Sequence, residues 1–165
     1  MDSEFHKMIM KKAGALLARR AYSRGQLRDK LAKIAGKVPI EAVLDRLEQL
    51  NLLNDADYAY NFAFCRIKHQ AWGPAKVNDS LLRRQVAQAT IDDALQRVRN
   101  ELNYESIMAD YMHRYCGKQG PALDPKAIRT LVLHLRQRGF DEDRILGALK
   151  RVIPAVIHER FETGE

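Results

Sequence analysis

Two cysteines, five prolines, nine glycines and one tryptophan in 165 residues leave little to staple, break or loosen this chain. So few prolines and glycines exclude a low-complexity or disordered chain. Cys65 and Cys116 fall inside helix-like patterns rather than at loop spacings, which excludes a disulfide framework and fits a reducing cytoplasm. No apolar run approaches the roughly 18–20 residues a membrane span requires, and the opening MDSEFHKMIMKK has no signal-peptide run, so a soluble, cytoplasmic protein is expected. Sustained period-two alternation is missing, which excludes a sheet. So are a Gly-rich phosphate loop and a nucleophile with a local base, so Arg83 and Arg84 have no machinery to serve as arginine fingers and no enzyme is expected. Cys65 with His69 and His113 with Cys116 carry zinc-ligand types one turn apart, but without a CxxC knuckle they read as buried thiols and surface histidines; no metal or other cofactor is expected.

What the sequence does have is zoned charge. Against a net +7, residues 7–37 carry +9, 38–65 carry −4, 66–90 carry +4, 91–124 carry −2, 125–138 carry +4 and 139–165 carry −2. Basic zones therefore recur along the chain, and apolar spacing recurs with them. Leu27, Leu31, Ile40, Leu44 and Leu47 correspond to Val77, Leu81, Ile91, Leu95 and Val98, and again to Leu131, Leu135, Ile145, Leu149 and Val152. Each block reads as two helices joined by a turn, preceded by a third helix at residues 4–21, 55–71 and about 104–115. The expectation is an all-α, elongated and curved array of three tandem three-helix units, 1–51, 52–102 and 103–165, whose neighbours share an apolar seam because so short a unit buries too little surface alone.

The central stretch Leu52 to Pro74, LLNDADYAYNFAFCRIKHQAWGP, reads as one helix with marked ends. Asn54 or Asp55 can cap it, Tyr58, Ala59, Phe62, Ala63, Arg66 and Ile67 follow helical spacing, and Gly73-Pro74 stops it. Phe62 on that face is expected to be core, its truncation costing roughly 3–5 kcal/mol. Elsewhere Ser23-Arg24-Gly25-Gln26 has capping-box form and Thr90-Ile91-Asp92-Asp93 a related one. Pro39, Pro74 and Pro125 suit first helical turns, and Gly139-Phe140-Asp141 supplies a stop, a packing residue and a new cap. Residues 117–123 are expected to form a flexible loop, and Pro154 to end or kink the last helix.

Periodic basic helices suit a long, negatively charged or helical ligand. The candidate contacts are Arg20, Arg24, Arg28 and Lys30, then Arg66, Lys76, Arg83 and Arg84, then Arg129 and Arg136. Lys76, Arg83 and Arg84 are assigned to the second helix of the middle unit, with Lys76 and Arg84 projecting outward or along its flank. The aromatics Tyr58, Tyr60, Phe62 and Phe64 read as packing residues; Trp72, beside a glycine at a helix end, is the candidate for stacking on a base.

Tyr22-Ser23-Arg24-Gly25-Gln26-Leu27-Arg28-Asp29-Lys30-Leu31 resembles the R-x-Y-S-x-x-E-L-x-x-K-L signature of the RecX regulatory proteins, with Gln26 in place of the usual Glu. Leu53-Asn54-Asp55-Ala56-Asp57-Tyr58-Ala59, Arg66 and Trp72-Gly73-Pro74-Ala75-Lys76-Val77 are similar to that family's centre. The third unit matches mainly through Leu135-Arg136-Gln137-Arg138-Gly139-Phe140 and Ile145 to Val152. Where the family commonly has E-L-x-x-[KR]-G-[IV], this chain has Ser80-Leu81-Leu82-Arg83-Arg84-Gln85-Val86, without the glycine. The resemblance implies a monomeric modulator of the RecA recombinase filament that binds along its groove, restrains its strand exchange, ATP hydrolysis and coprotease activity in DNA repair and the SOS response, and in some members binds single-stranded or duplex DNA. The competing readings are an autonomous helix-turn-helix-like DNA-binding protein, using Arg24 to Ile34 and Ile40 to Leu50, and a helical scaffold unrelated to nucleic acid.

Overall fold

The computed structural model describes residues 2–35, 39–118 and 124–163; Lys37 and most of the loop expected at 117–123 lie outside them. Among the described residues the fold is all-α. Nine helices follow in order: α1 (Asp2–Arg19), α2 (Arg24–Ala35), α3 (Ile40–Gln49), α4 (Asp55–Gln70), α5 (Pro74–Leu82), α6 (Gln88–Glu101), α7 (Tyr104–Gly117), α8 (Pro125–Gln137) and α9 (Glu142–Thr163). None is long and apolar enough to cross a membrane.

Helix ends follow local chemistry. The Asn54 side chain accepts from the Ala56 and Asp57 N–H groups at 3.0 and 3.1 Å and caps α4. At α2 the capping box closes both ways: Gln26 N–H donates to Ser23 Oγ, and Ser23 N–H to Gln26 Oε1. Asp124 and Asp141 cap α8 and α9. Thr90 does not begin a helix, because α6 starts two residues earlier, at Gln88. Pro154 does not end α9, which continues through it. Lys150 and Pro154 are both exposed, so the backbone carbonyl that loses its intrahelical partner lies on the solvent side.

Met1–Phe62 and Ser80–Gln96 make one compact unit; Ala63–Asp79 and Arg97–Glu165 make the other. The core of the first gathers Ile9, Ala13, Leu27, Leu31, Val43, Leu44, Leu47 and Leu53. That of the second gathers Met108, Met112, Cys116, Leu131, Leu135, Phe140, Ile145 and Leu149. The buried stripe of α4 is Ala59, Ala63 and Ile67; Phe62 is only half-buried, so it is not the core residue expected, and its truncation costs less than a core phenylalanine's.

Three helices end in the same left-handed device. Asn51, Gln85 and Gly139 take φ of 53°, 59° and 84°, and the next residue's N–H reaches back to a carbonyl five residues earlier: Leu52 to Leu47, Val86 to Leu81 and Phe140 to Leu135. Gln85 thus occupies the conformation a glycine would adopt more cheaply. Its side chain is held from within the first unit, Nε2 donating to Asp29 at 2.5 Å and Oε1 accepting from Arg28 at 2.7 Å.

In the second unit the turn after α4 docks on the turn after α8, backbone against backbone. Gly73 N–H donates to the Arg138 carbonyl at 2.6 Å and Ala75 N–H to the Gly139 carbonyl at 3.3 Å. A Cβ on Gly73 would lie 2.2 Å from the Gly139 oxygen, and one on Gly139 would lie 2.4 Å from Lys76 N. Neither backbone can retreat without breaking these bonds. Gly73→Ala and Gly139→Ala should therefore each lower stability to urea by about 1–3 kcal/mol or more. Gly147→Ala, in the exposed middle of α9 with open space around it, should instead gain up to about 1 kcal/mol. A Gly73→Ala protein as stable as its parent contradicts the close approach.

Candidate nucleic-acid interface

The candidate basic residues have unequal freedom. In the first unit, Arg24 is occupied: its guanidinium meets Glu41 at 2.6 Å, Asp45 at 2.7 Å and Glu48 at 2.6 Å, three carboxylates one turn apart on α3. Arg20 lies 4.2 Å from the Tyr22 ring centroid, and Arg28 holds Gln85. Arg83 and Arg84 belong to the turn after α5 rather than to the helix, which stops at Leu82. Arg84 does not project outward: it is half-buried, 4.5 Å from the Phe62 centroid, with Nη1 donating to the Ser80 carbonyl, and its own carbonyl accepts from Ser23 Oγ. Lys30 and Arg83 are exposed, with no hydrogen bond or ion pair among the described residues.

In the second unit, Arg66 and Lys76 converge on Trp72, 5.1 and 4.6 Å from its ring centroid. Arg129 turns back to the Pro125 carbonyl and Arg136 pairs with Glu142. Neither joins the other two.

Trp72 instead opens onto residues that the pattern of basic helices did not single out. The docked turns place it beside Arg138, whose guanidinium sits 4.3 Å from the Tyr111 centroid and donates to the Gln70 carbonyl. Tyr115 packs edge-on against His134 at 5.5 Å. Trp72, Tyr111 and Tyr115 line an open cleft of about 510 Å³ together with Arg114, Lys118 and Arg138, and among the described residues none of its lining is acidic. That volume lies within the roughly 300–1,000 Å³ of small-ligand sites. A second cavity of about 290 Å³ shares Trp72, Tyr111 and Arg138 and adds Lys76. The sequence carried one usable signal: Arg138 immediately precedes the left-handed Gly139, which fixes where its side chain starts. The α7 contributors carry none, because Tyr111, Arg114 and Tyr115 look like one ordinary half-polar helical face.

Repeated helix-turn-helix elements closed by the same left-handed caps define a class of small all-α proteins built from three-helix domains. Residues 54–95 match the RecX second three-helix domain. The chain is 36% identical over 138 residues to the regulatory protein RecX of Pseudomonas putida, covering 83% of this chain and 86% of that one. It is 38% identical over 99 residues to the regulatory protein RecX of Thermus thermophilus, covering 60% and 68%. The crystal structure of RecX from Lactobacillus salivarius superposes with a TM-score of 0.80 at 17% identity, over 91% of this chain and 97% of that one, a likeness of fold. The chain belongs to the RecX family of regulatory proteins.

Asp55 links the Arg24 site to pH. Its carboxylate accepts from the Arg24 N–H at 2.6 Å, yet burial pushes its pKa above the ordinary 3.8, the Arg24 hydrogen bond offsetting this only in part and nearby Glu48 adding to it. The folded state thus holds this proton more tightly than the unfolded chain does. The stability it contributes is full below pH 3.8 and is lost as pH rises through the folded value. Asp55→Asn keeps an acceptor without the charge, so its stability relative to the parent should improve as pH is raised from below 3.8 to neutrality, measured by urea unfolding; a difference that is flat or falls with pH contradicts this.

Proposed function

We propose that this chain modulates a RecA-type recombinase: it binds the recombinase filament and restrains strand exchange, ATP hydrolysis and coprotease activity, in the cytoplasm, as a monomer without cofactor or turnover of its own. The observation that carries this reading is the 36% identity to a regulatory protein RecX across most of both chains. The zoned positive charge supports it, since a filament on DNA is long and anionic. Three consecutive three-helix units, 1–51, 52–102 and 103–165, form the repeat that would follow such a filament. Exposed Lys30 and Arg83 in the first compact unit, and half-buried Arg66 and Lys76 around Trp72 in the second, are the contacts favoured here; Arg24 and Arg84 serve the fold first.

The autonomous helix-turn-helix reading fares worse. In the pair α2 and α3, the helix that would enter a major groove carries Glu41, Asp45 and Glu48, and these already engage the basic partner that would meet phosphate.

The test is ATP hydrolysis by a recombinase assembled on single-stranded DNA, titrated with the purified chain. The rate should fall with added protein, while the chain alone hydrolyses no ATP above background. ATP turnover by the chain alone, or an unaffected recombinase alongside tight binding to one duplex sequence, contradicts the proposal.

A further inference from the structure

The cleft of the second unit has a composition that filament binding does not require. Three cation–aromatic contacts lie around it, Arg66 and Lys76 on Trp72 and Arg138 on Tyr111. Cations gathered in one place repel one another unless an anion joins them, and Arg114, Arg138 and Lys118 share the concavity with no acidic side chain among the described residues of its lining. Aromatic rings in the same space supply what a bare phosphate would not use.

The floor of the cleft is also fixed before any ligand arrives. Trp72 stands on a turn locked by the Gly73 and Gly139 contacts. Arg138 is held by the Gln70 carbonyl and the Tyr111 ring, which leaves further donors of its planar fork for an anion. Arg114 and Lys118 are exposed at the rim and reach the site from one helix end. A pre-positioned fork beside aromatic surface suits a ligand with a planar group and an anion a few ångströms apart.

We propose that this cleft binds one nucleotide, its base against Trp72, Tyr111 and Tyr115 and its phosphate on Arg114, Lys118 and Arg138. The nucleotide comes either free from solution or from a single strand whose bases are unstacked; intact duplex cannot present a base face here. The Lys76 ammonium leaves the indole for phosphate, a stronger partner. The inference goes beyond the proposed function, whose partner is the recombinase filament, and needs no recombinase.

Trp72 is the sole tryptophan, so its fluorescence reports this cleft alone. The full chain is titrated, without recombinase, with a short oligothymidylate, with thymidine monophosphate, with an abasic strand of the same length and with a poly-glutamate peptide. Saturable quenching by the oligothymidylate is expected, with the abasic strand weaker by roughly five-fold to a hundred-fold, the range that stacking of a base contributes. Monophosphate binding as tightly as the strand assigns the site to free nucleotide; binding by the strand alone assigns it to single-stranded nucleic acid; either supports a nucleotide site. The double variant Arg114→Glu, Lys118→Glu, with its helix content checked, should reduce the salt slope of strand binding by about two. Equal quenching by abasic and base-bearing strands, quenching by poly-glutamate in preference to any nucleotide, no quenching at all, or unchanged affinity in a folded double variant would each overturn the proposal. None of these outcomes bears on filament binding, which the recombinase titration measures separately.

Discussion

The second unit depends on two backbones touching where side chains are forbidden. Gly73 and Gly139 approach so closely that a methyl group on either collides with the other turn's peptide. The contact stabilises the fold by satisfying two N–H groups that helix ends leave open, those of Gly73 and Ala75. Its larger effect is geometric. It turns two turns far apart in sequence, Trp-Gly-Pro and Arg-Gly-Phe, into one element, so that Trp72 and Arg138 share a wall. Phe140, two residues after Arg138, closes the core below them beside Leu135 and Ile145.

The first unit meets a similar constraint by other means. There the start of α2 lies against the turn after α5, and a Cβ on Gly25 would come within 2.3 Å of the Gln85 Cβ. Gln85 holds a left-handed conformation without being glycine, which costs of order 1–3 kcal/mol, and its bonds to Asp29 and Arg28 help to offset this. Positive charge in this region is therefore partly structural. Arg24 joins α2 to α3 through three carboxylates, and Arg84 covers Phe62. Net charge overstates what remains for a partner.

How much was legible in the sequence follows from the range of each interaction. Caps act within four residues, so Ser23 with Gln26, Asn54, and the Gly139-Phe140-Asp141 stop were readable, as was the apolar spacing that put Leu131, Leu135, Ile145 and Leu149 in one core. Thr90 misled because capping chemistry resembles ordinary polar helix surface, and Pro154 does not end its helix because a proline on an exposed face can be carried by the helix around it. The cleft was half legible: Trp72 beside Gly73 was identifiable as an aromatic at a helix end, but Tyr111, Arg114 and Lys118 reach it only through tertiary packing of α7. Arg84 read as surface because a guanidinium lying over a phenylalanine ring leaves no trace in periodicity.

Family membership and the cleft concern different parts of the function. Relatives sharing a third of this sequence are regulatory proteins, and the proposed recombinase modulation rests on that kinship. The cleft's usefulness rests on the rigidity of the docked turns, so the most direct measurement is amide hydrogen exchange at Gly73 and Ala75. The account predicts that both amides exchange as slowly as core amides of α7 and α8, opening only when the second unit unfolds. Exchange at the rate of an open loop, with the core amides still protected, would show that the turns are not docked and that nothing fixes Trp72 beside Arg138.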